Sequence, residues 1–222
     1  MTTKIITGLL LLAALGFADT ASAQMPEPTA ETPTLFGAQR VDEGDFIIGL
    51  ATGYPTTSFA MFFGLHESFD IGVLLGMNYG DSSLGGKRQR FGLDVHVPLR
   101  WTIATLDKVA LGLRISPYFM IGDGSPAFSF GGDVAFLIDI PLPKLFKIII
   151  GPELRTGFAS VGSDPNRFTG YDGGVWLNAG VETNFLEDFY AGLIFNGGGY
   201  WGSNNFGGDG LFRANIYFGM EL

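Results

Sequence analysis

The residues of this chain that could do chemistry are two histidines and a series of charges spaced by even numbers of positions. His96 stands two positions after Asp94 and four before Arg100, so on an extended strand all three share one face. A carboxylate beside an imidazole is half of a general-base arrangement, which also needs a nucleophile or water within hydrogen-bond reach. Spacing marks no such partner. His66 belongs to another segment, beside Glu67 and Ser68, and is expected to face the same interior near one end. His96 therefore reads as a hydrogen-bonding group among charges, and no catalytic residue is assigned. Two histidines on different segments with scattered carboxylates have no metal-ligand spacing, and no cofactor motif is present. Asp81, Asp164, Asp172 and Asp209 read as solvated loop acids.

The elements that must position these groups are β-strands. From Phe69 to Tyr79 apolar residues alternate with small or polar ones, and the last segment repeats this: Phe212, Ala214, Ile216, Phe218, Met220 and Leu222 against Arg213, Asn215, Tyr217, Gly219 and Glu221. Ten strands are expected, over 45–54, 57–66, 69–79, 90–104, 109–121, 127–140, 146–158, 173–185, 189–197 and 211–222, with eight as the alternative. Tight links around Glu67-Ser68, Leu106 to Lys108, Pro141 to Leu145 and Leu186 to Asp188 alternate with mostly longer polar ones, such as 80–89, 159–172 and 198–210. An even strand count with short turns on one side and longer loops on the other is the pattern of a transmembrane β-barrel.

Charge placement tests that pattern, because Arg or Lys facing lipid at mid-depth costs about 2–4 kcal/mol. Asp70, Arg90, Asp94, Arg100, Arg114, Asp133, Asp139, Lys147, Glu153, Arg155, Glu182, Arg213 and Glu221 all lie opposite their strand's apolar set. The apolar sets are clean, for example Phe91, Leu93, Val95, Val97, Leu99 and Trp101 in one strand. Aromatics such as Phe69, Trp101 and Phe146 near one end, and Tyr79, Phe119 and Phe128 near the other, suit two interfacial girdles. Asp70, Asp94, His96, Arg100, Arg114, Asp133, Asp139, Glu153, Arg155, Glu182 and Arg213 are expected to form a self-paired network in a narrow lumen. Arg114 is expected at its centre, near Asp94, Asp133 or Glu153. Val73→Arg should then impair folding, whereas Gly72→Ser and Asn78→Asp on the lumen face should be tolerated.

Composition agrees with this class. Residues 1–23 have the form of an export signal, with Lys4, an apolar run from Ile5 to Phe17, and Ala21-Ser22-Ala23 before a cleavage expected between Ala23 and Gln24. Residues 24–43 are rich in Pro, Thr and Glu and read as a flexible periplasmic leader whose apolar patch is Leu35-Phe36-Gly37. Residues 44–222 then form one barrel domain. Without cysteine there is no disulfide or acylated cysteine, and a net charge of −9 excludes a nucleic-acid partner.

The units Phe69-Asp70-Ile71-Gly72-Val73 and Phe189-Tyr190-Ala191-Gly192-Leu193, with the alternating C-terminal strand, resemble the small outer-membrane β-barrel proteins of Gram-negative bacteria, the OmpA-like and OmpW-like barrel domains. The final residue is Leu222 where that family usually ends in phenylalanine. The resemblance implies an all-β antiparallel barrel in the outer membrane with both termini in the periplasm. Its implied partners are membrane lipid, lipopolysaccharide and, through the last strand, the barrel-assembly machinery. Protease and lipid-hydrolase barrels of this membrane need acid or His-Ser groups at the outer rim or lipid face, which His66 and His96 do not supply. The role expected is non-enzymatic, structural or surface-interacting. The alternatives are a narrow channel for ions or small apolar molecules and a membrane-embedded lipid or peptide hydrolase.

Overall fold

The computed structural model describes residues 29–84, 87–122, 127–142, 146–161, 168–186, 188–202 and 211–222. The expected signal segment and its cleavage point lie outside these residues, as do Asp164 and Asp209; for Asp81 and Asp172 only the backbone is described. Among the described residues eleven strands are present: β1 Phe46–Tyr54, β2 Thr56–His66, β3 Phe69–Leu84, β4 Lys87–His96, β5 Leu99–Leu106, β6 Val109–Gly122, β7 Ala127–Leu142, β8 Phe146–Val161, β9 Phe168–Leu186, β10 Phe189–Gly202 and β11 Leu211–Glu221. Each pairs antiparallel with its neighbour, and β1 closes on β11 from Ile47 opposite Glu221 to Tyr54 opposite Ala214.

β4 and β5 both pair with β3 and β6, so they are two halves of one stave and the barrel has ten. The division falls at Val97-Pro98, because proline has no N–H for the ladder. Around the gap the Gly72 N–H donates to the Pro98 carbonyl at 2.8 Å and the Val97 N–H to the Pro117 carbonyl at 2.9 Å, so the wall stays closed.

Alternation sorts the side chains as it must in a closed sheet. Leu93, Trp101, Ile115, Phe119, Phe130, Leu154, Val175, Leu177, Phe212 and Phe218 are exposed on the outer wall, while Asp70, Arg100, Asp133, Asp139, Lys147, Glu153 and Glu182 are buried inside. Several strands outrun the sequence expectation: β3 continues to Leu84, β8 to Val161 and β10 to Gly202, and β9 begins at Phe168. Those segments are polar or glycine-rich and read as loop, yet backbone pairing needs no apolar side chain once the ladder has left the apolar belt.

The leader is where structure and sequence reading differ most. Residues 30–41 run inside the barrel at the end that carries the short turns, the turn end. Thr34, Leu35 and Val41 are fully buried, with Ala38 and Gln39 nearly so. Its exit is fixed by a parallel bridge between Glu43 and Gly64, with the Gly44 N–H on the Gly64 carbonyl at 3.0 Å. Low hydrophobicity made this segment look flexible, but its polar backbone is matched by polar groups projecting from the wall.

Candidate functional site in the lumen

The lumen charges fall into two tiers. The tier at the turn end grips the N-terminal segment. Asp70 stands opposite Arg100 across the β3–β5 ladder and takes its guanidinium side-on, Nε to Oδ1 at 3.0 Å and Nη2 to Oδ2 at 2.5 Å. This fork geometry is the strong form of a carboxylate–arginine pair. The guanidinium lies 4.0 Å over the Phe62 ring, and its Nη1 donates to the carbonyls of Thr34 at 2.6 Å and Leu35 at 3.1 Å.

Three carboxylates serve the segment's amides. The Val41 N–H donates to Asp70 Oδ2 at 2.8 Å, the Gln39 N–H to Asp139 Oδ2 at 2.9 Å, and the Leu35 N–H to Glu182 Oε2 at 3.0 Å. Asp139 also accepts from the Thr34 hydroxyl at 3.1 Å, and Glu182 from the Tyr217 hydroxyl at 2.9 Å. Lys147 donates to the Thr32 carbonyl; the Thr102 hydroxyl donates to the Ala38 carbonyl and accepts the Arg40 N–H, both at 3.1 Å. Buried backbone must be hydrogen-bonded, and wall side chains here replace the missing strand partner.

Two wall glycines make the space. A Cβ at Gly112 would fall 2.5 Å from the Ala38 carbonyl oxygen and 2.8 Å from its Cα, and one at Gly49 would fall 2.5 Å from Leu35 Cδ2. Close backbone approach is what glycine permits there.

The second tier lies above Phe36, whose ring meets Tyr217 edge-on at 4.9 Å and forms part of the floor of a lumen cavity of about 130 Å³. His96 stacks on Tyr118 at 5.4 Å, with Asp94 Oδ2 3.2 Å from Nε2 and Asp133 Oδ2 3.4 Å from Nδ1. With a carboxylate at each ring nitrogen, neither is left to take a proton from a nucleophile. Arg114 lies 2.6 Å from Glu153 and 3.9 Å from Asp133; Arg155 lies 3.6 Å from Asp133 and 3.8 Å from Glu153. Asp94 is held by Asn78 and His96, with no pair to Arg114 among the described residues. Arg213 lines the same cavity without a salt bridge among the described residues, its guanidinium 4.8 Å over the Trp176 ring.

Some sequence expectations shift. His66 is exposed and does not face the lumen, because the register slips between Gly64 and His66 and turns it outward; its Nδ1 accepts the Ser68 N–H at 3.2 Å and its ring stacks on Phe69. Gly72→Ser would not be tolerated, since a Cβ there falls 2.5 Å from Phe62 Cδ1 and 2.6 Å from the Met61 carbonyl oxygen. Asn78→Asp would face Asp94, to which Asn78 now donates.

A closed antiparallel barrel with an apolar outer wall and a charged, packed lumen defines the class: a β-barrel of the outer-membrane type. No family model and no curated protein matches the chain. Among solved structures it is similar to the N-terminal β-barrel domain of Pseudomonas aeruginosa OprF, at 11% identity over 80% of this chain and 96% of that one, with a TM-score of 0.35. It is also similar to the outer-membrane expressed OmpT of Vibrio cholerae, at 12% identity over 83% of this chain and 63% of that one, with a TM-score of 0.37. Both likenesses are distant.

Proposed function

We propose that this chain is a non-enzymatic integral protein of the bacterial outer membrane whose lumen is stoppered at the periplasmic end by its own N-terminal segment. Its role is structural or surface-interacting. In this reading the turn end and both termini lie in the periplasm, the apolar wall meets lipid and lipopolysaccharide, and β11 is the strand presented to the assembly machinery. The single observation that carries it is the seating of residues 30–41 against Asp70, Asp139 and Glu182, which fills the turn end of a lumen already crowded by side chains. The pairing of Arg114 and Arg155 with Asp133 and Glu153 in the upper tier supports the same reading, since closely paired lumen charges serve packing rather than passage.

The test is conductance in planar bilayers. The wild-type chain should show little or none, and a variant lacking residues 30–41 should show discrete openings. Large, steady conductance from the wild type would refute the reading. A second reading, a narrow conduit for ions or small molecules, is favoured by the cavity above Phe36 and requires the segment to leave its seat.

A further inference from the structure

The cavity above Phe36 has a chemical asymmetry that the packing does not explain. Its three carboxylates are all taken: Asp94 by Asn78 and His96, Asp133 by His96, Arg114 and Arg155, and Glu153 by Arg114, Arg155 and Asn178. Arg213 makes no salt bridge to a carboxylate among the described residues, and its guanidinium lies over the Trp176 face. The polar atoms of the cavity wall left without a hydrogen bond among the described residues are the indole Nε1 of Trp176, the Nε of Arg114 and of Arg155, and the Ser116 hydroxyl. Trp176 and Ser116 are 4% and 2% exposed. The three nitrogens can only donate, and the hydroxyl can donate too. A buried donor without an acceptor is costly, so a set of them around one space calls for an acceptor-rich occupant.

We propose that this cavity binds a small organic carboxylate, with Arg213 as its anchor and the Trp176 indole N–H as a further donor. A guanidinium with no salt bridge among the described residues fits one planar carboxylate in its two-pronged geometry. Inorganic phosphate has no apolar body to set against the apolar part of the wall. Phe36, Leu74, Met120 and Ile194 give the cavity the apolar surface that an organic body needs. About 130 Å³ is room for a small molecule rather than a single water. The inference goes beyond the reading of a stoppered barrel, and its readout is binding rather than conductance, so either can fail alone.

Titrate the folded full-length protein in micelles with benzoate, its neutral analogue benzamide, and inorganic phosphate, by calorimetry and by the indole N–H resonances of ¹⁵N-tryptophan-labelled protein. Three tryptophans give three signals, assigned by W176F. Benzoate should bind and move the Trp176 signal; benzamide and phosphate should bind at least tenfold more weakly. R213Q should lose at least tenfold in benzoate affinity, R213K should lose less, and W176F should lose severalfold. Retained heat-modifiable gel mobility identifies the variants that fold, and the wild-type resonance shift stands whether or not R213Q does. No benzoate binding at millimolar concentration, equal binding of benzamide or phosphate, or wild-type affinity in R213Q would overturn the proposal.

Discussion

Asp139 gives the sharpest test of the seated N-terminal segment. Its Oδ2 accepts both the Gln39 N–H at 2.9 Å and the Thr34 hydroxyl at 3.1 Å. A hydrogen bond to a charged acceptor contributes about 1.5–3 kcal/mol, and the Thr34 hydroxyl can turn to the Gln39 carbonyl, also 3.1 Å away, so Asp139→Ala should weaken the seat by about 1.5–3 kcal/mol. At about 1.4 kcal/mol per tenfold, that is a rise of roughly 10- to 150-fold in the unseated population. The chain has no cysteine, so a single Gln39→Cys thiol reports on that population directly. Gln39 is 5% exposed, and a thiol there reacts with a maleimide only when the segment is out of its seat. Labelling of Gln39→Cys should be slow, and addition of Asp139→Ala should accelerate it by about tenfold or more with the barrel still folded. Asp139→Asn, which keeps one accepting oxygen, should fall between. Rapid labelling of Gln39→Cys alone would show that the segment does not sit where the structure puts it. An acceleration below about threefold would show that the carboxylate does not hold it.

Gly112→Leu should raise the same labelling rate, because even a Cβ at that position meets the backbone of Ala38. Arg114→Ala removes the 2.6 Å partner of Glu153 and leaves Arg155 at 3.8 Å as its nearest cation. Loss of one partner of a buried pair costs about 3–5 kcal/mol, so the melting temperature should fall by roughly 5–10 °C or more, measured by circular dichroism. An unchanged melting temperature would mean that Arg155 compensates in full. Val73→Arg, between Ile71 and Leu75 on the outer wall, should cut the folded fraction by about 2–4 kcal/mol, read as loss of the fast-migrating unboiled band. A normal folded yield would place Val73 off the lipid face.

The barrel was legible because its rule is local. Each strand records its two faces in a period of two, and Asp133 or Trp101 can be assigned inward or outward from its neighbours alone. The stave divided at Val97-Pro98 was legible as one run for the same reason, since both halves keep parity. What occupies the lumen is a different kind of fact. Parity says that Gly112 and Gly49 face inward but not what fills the space they leave; the structure gives these two positions to Ala38 and Leu35. Nothing near Gly112 in sequence names residue 38. A signal was present, in the isolated Leu35-Phe36-Gly37 patch of an otherwise polar leader, and in the carboxylates Asp70, Asp139 and Glu182, which the leader's amides meet in the fold. Reading it required asking which chain in the molecule has unpaired N–H groups to offer. A leader without strand period has no ladder of its own, so its amides are the donors available to those acids. The same question, put to the upper tier, leaves donors without acceptors around Arg213, and the chain supplies no described segment to meet them.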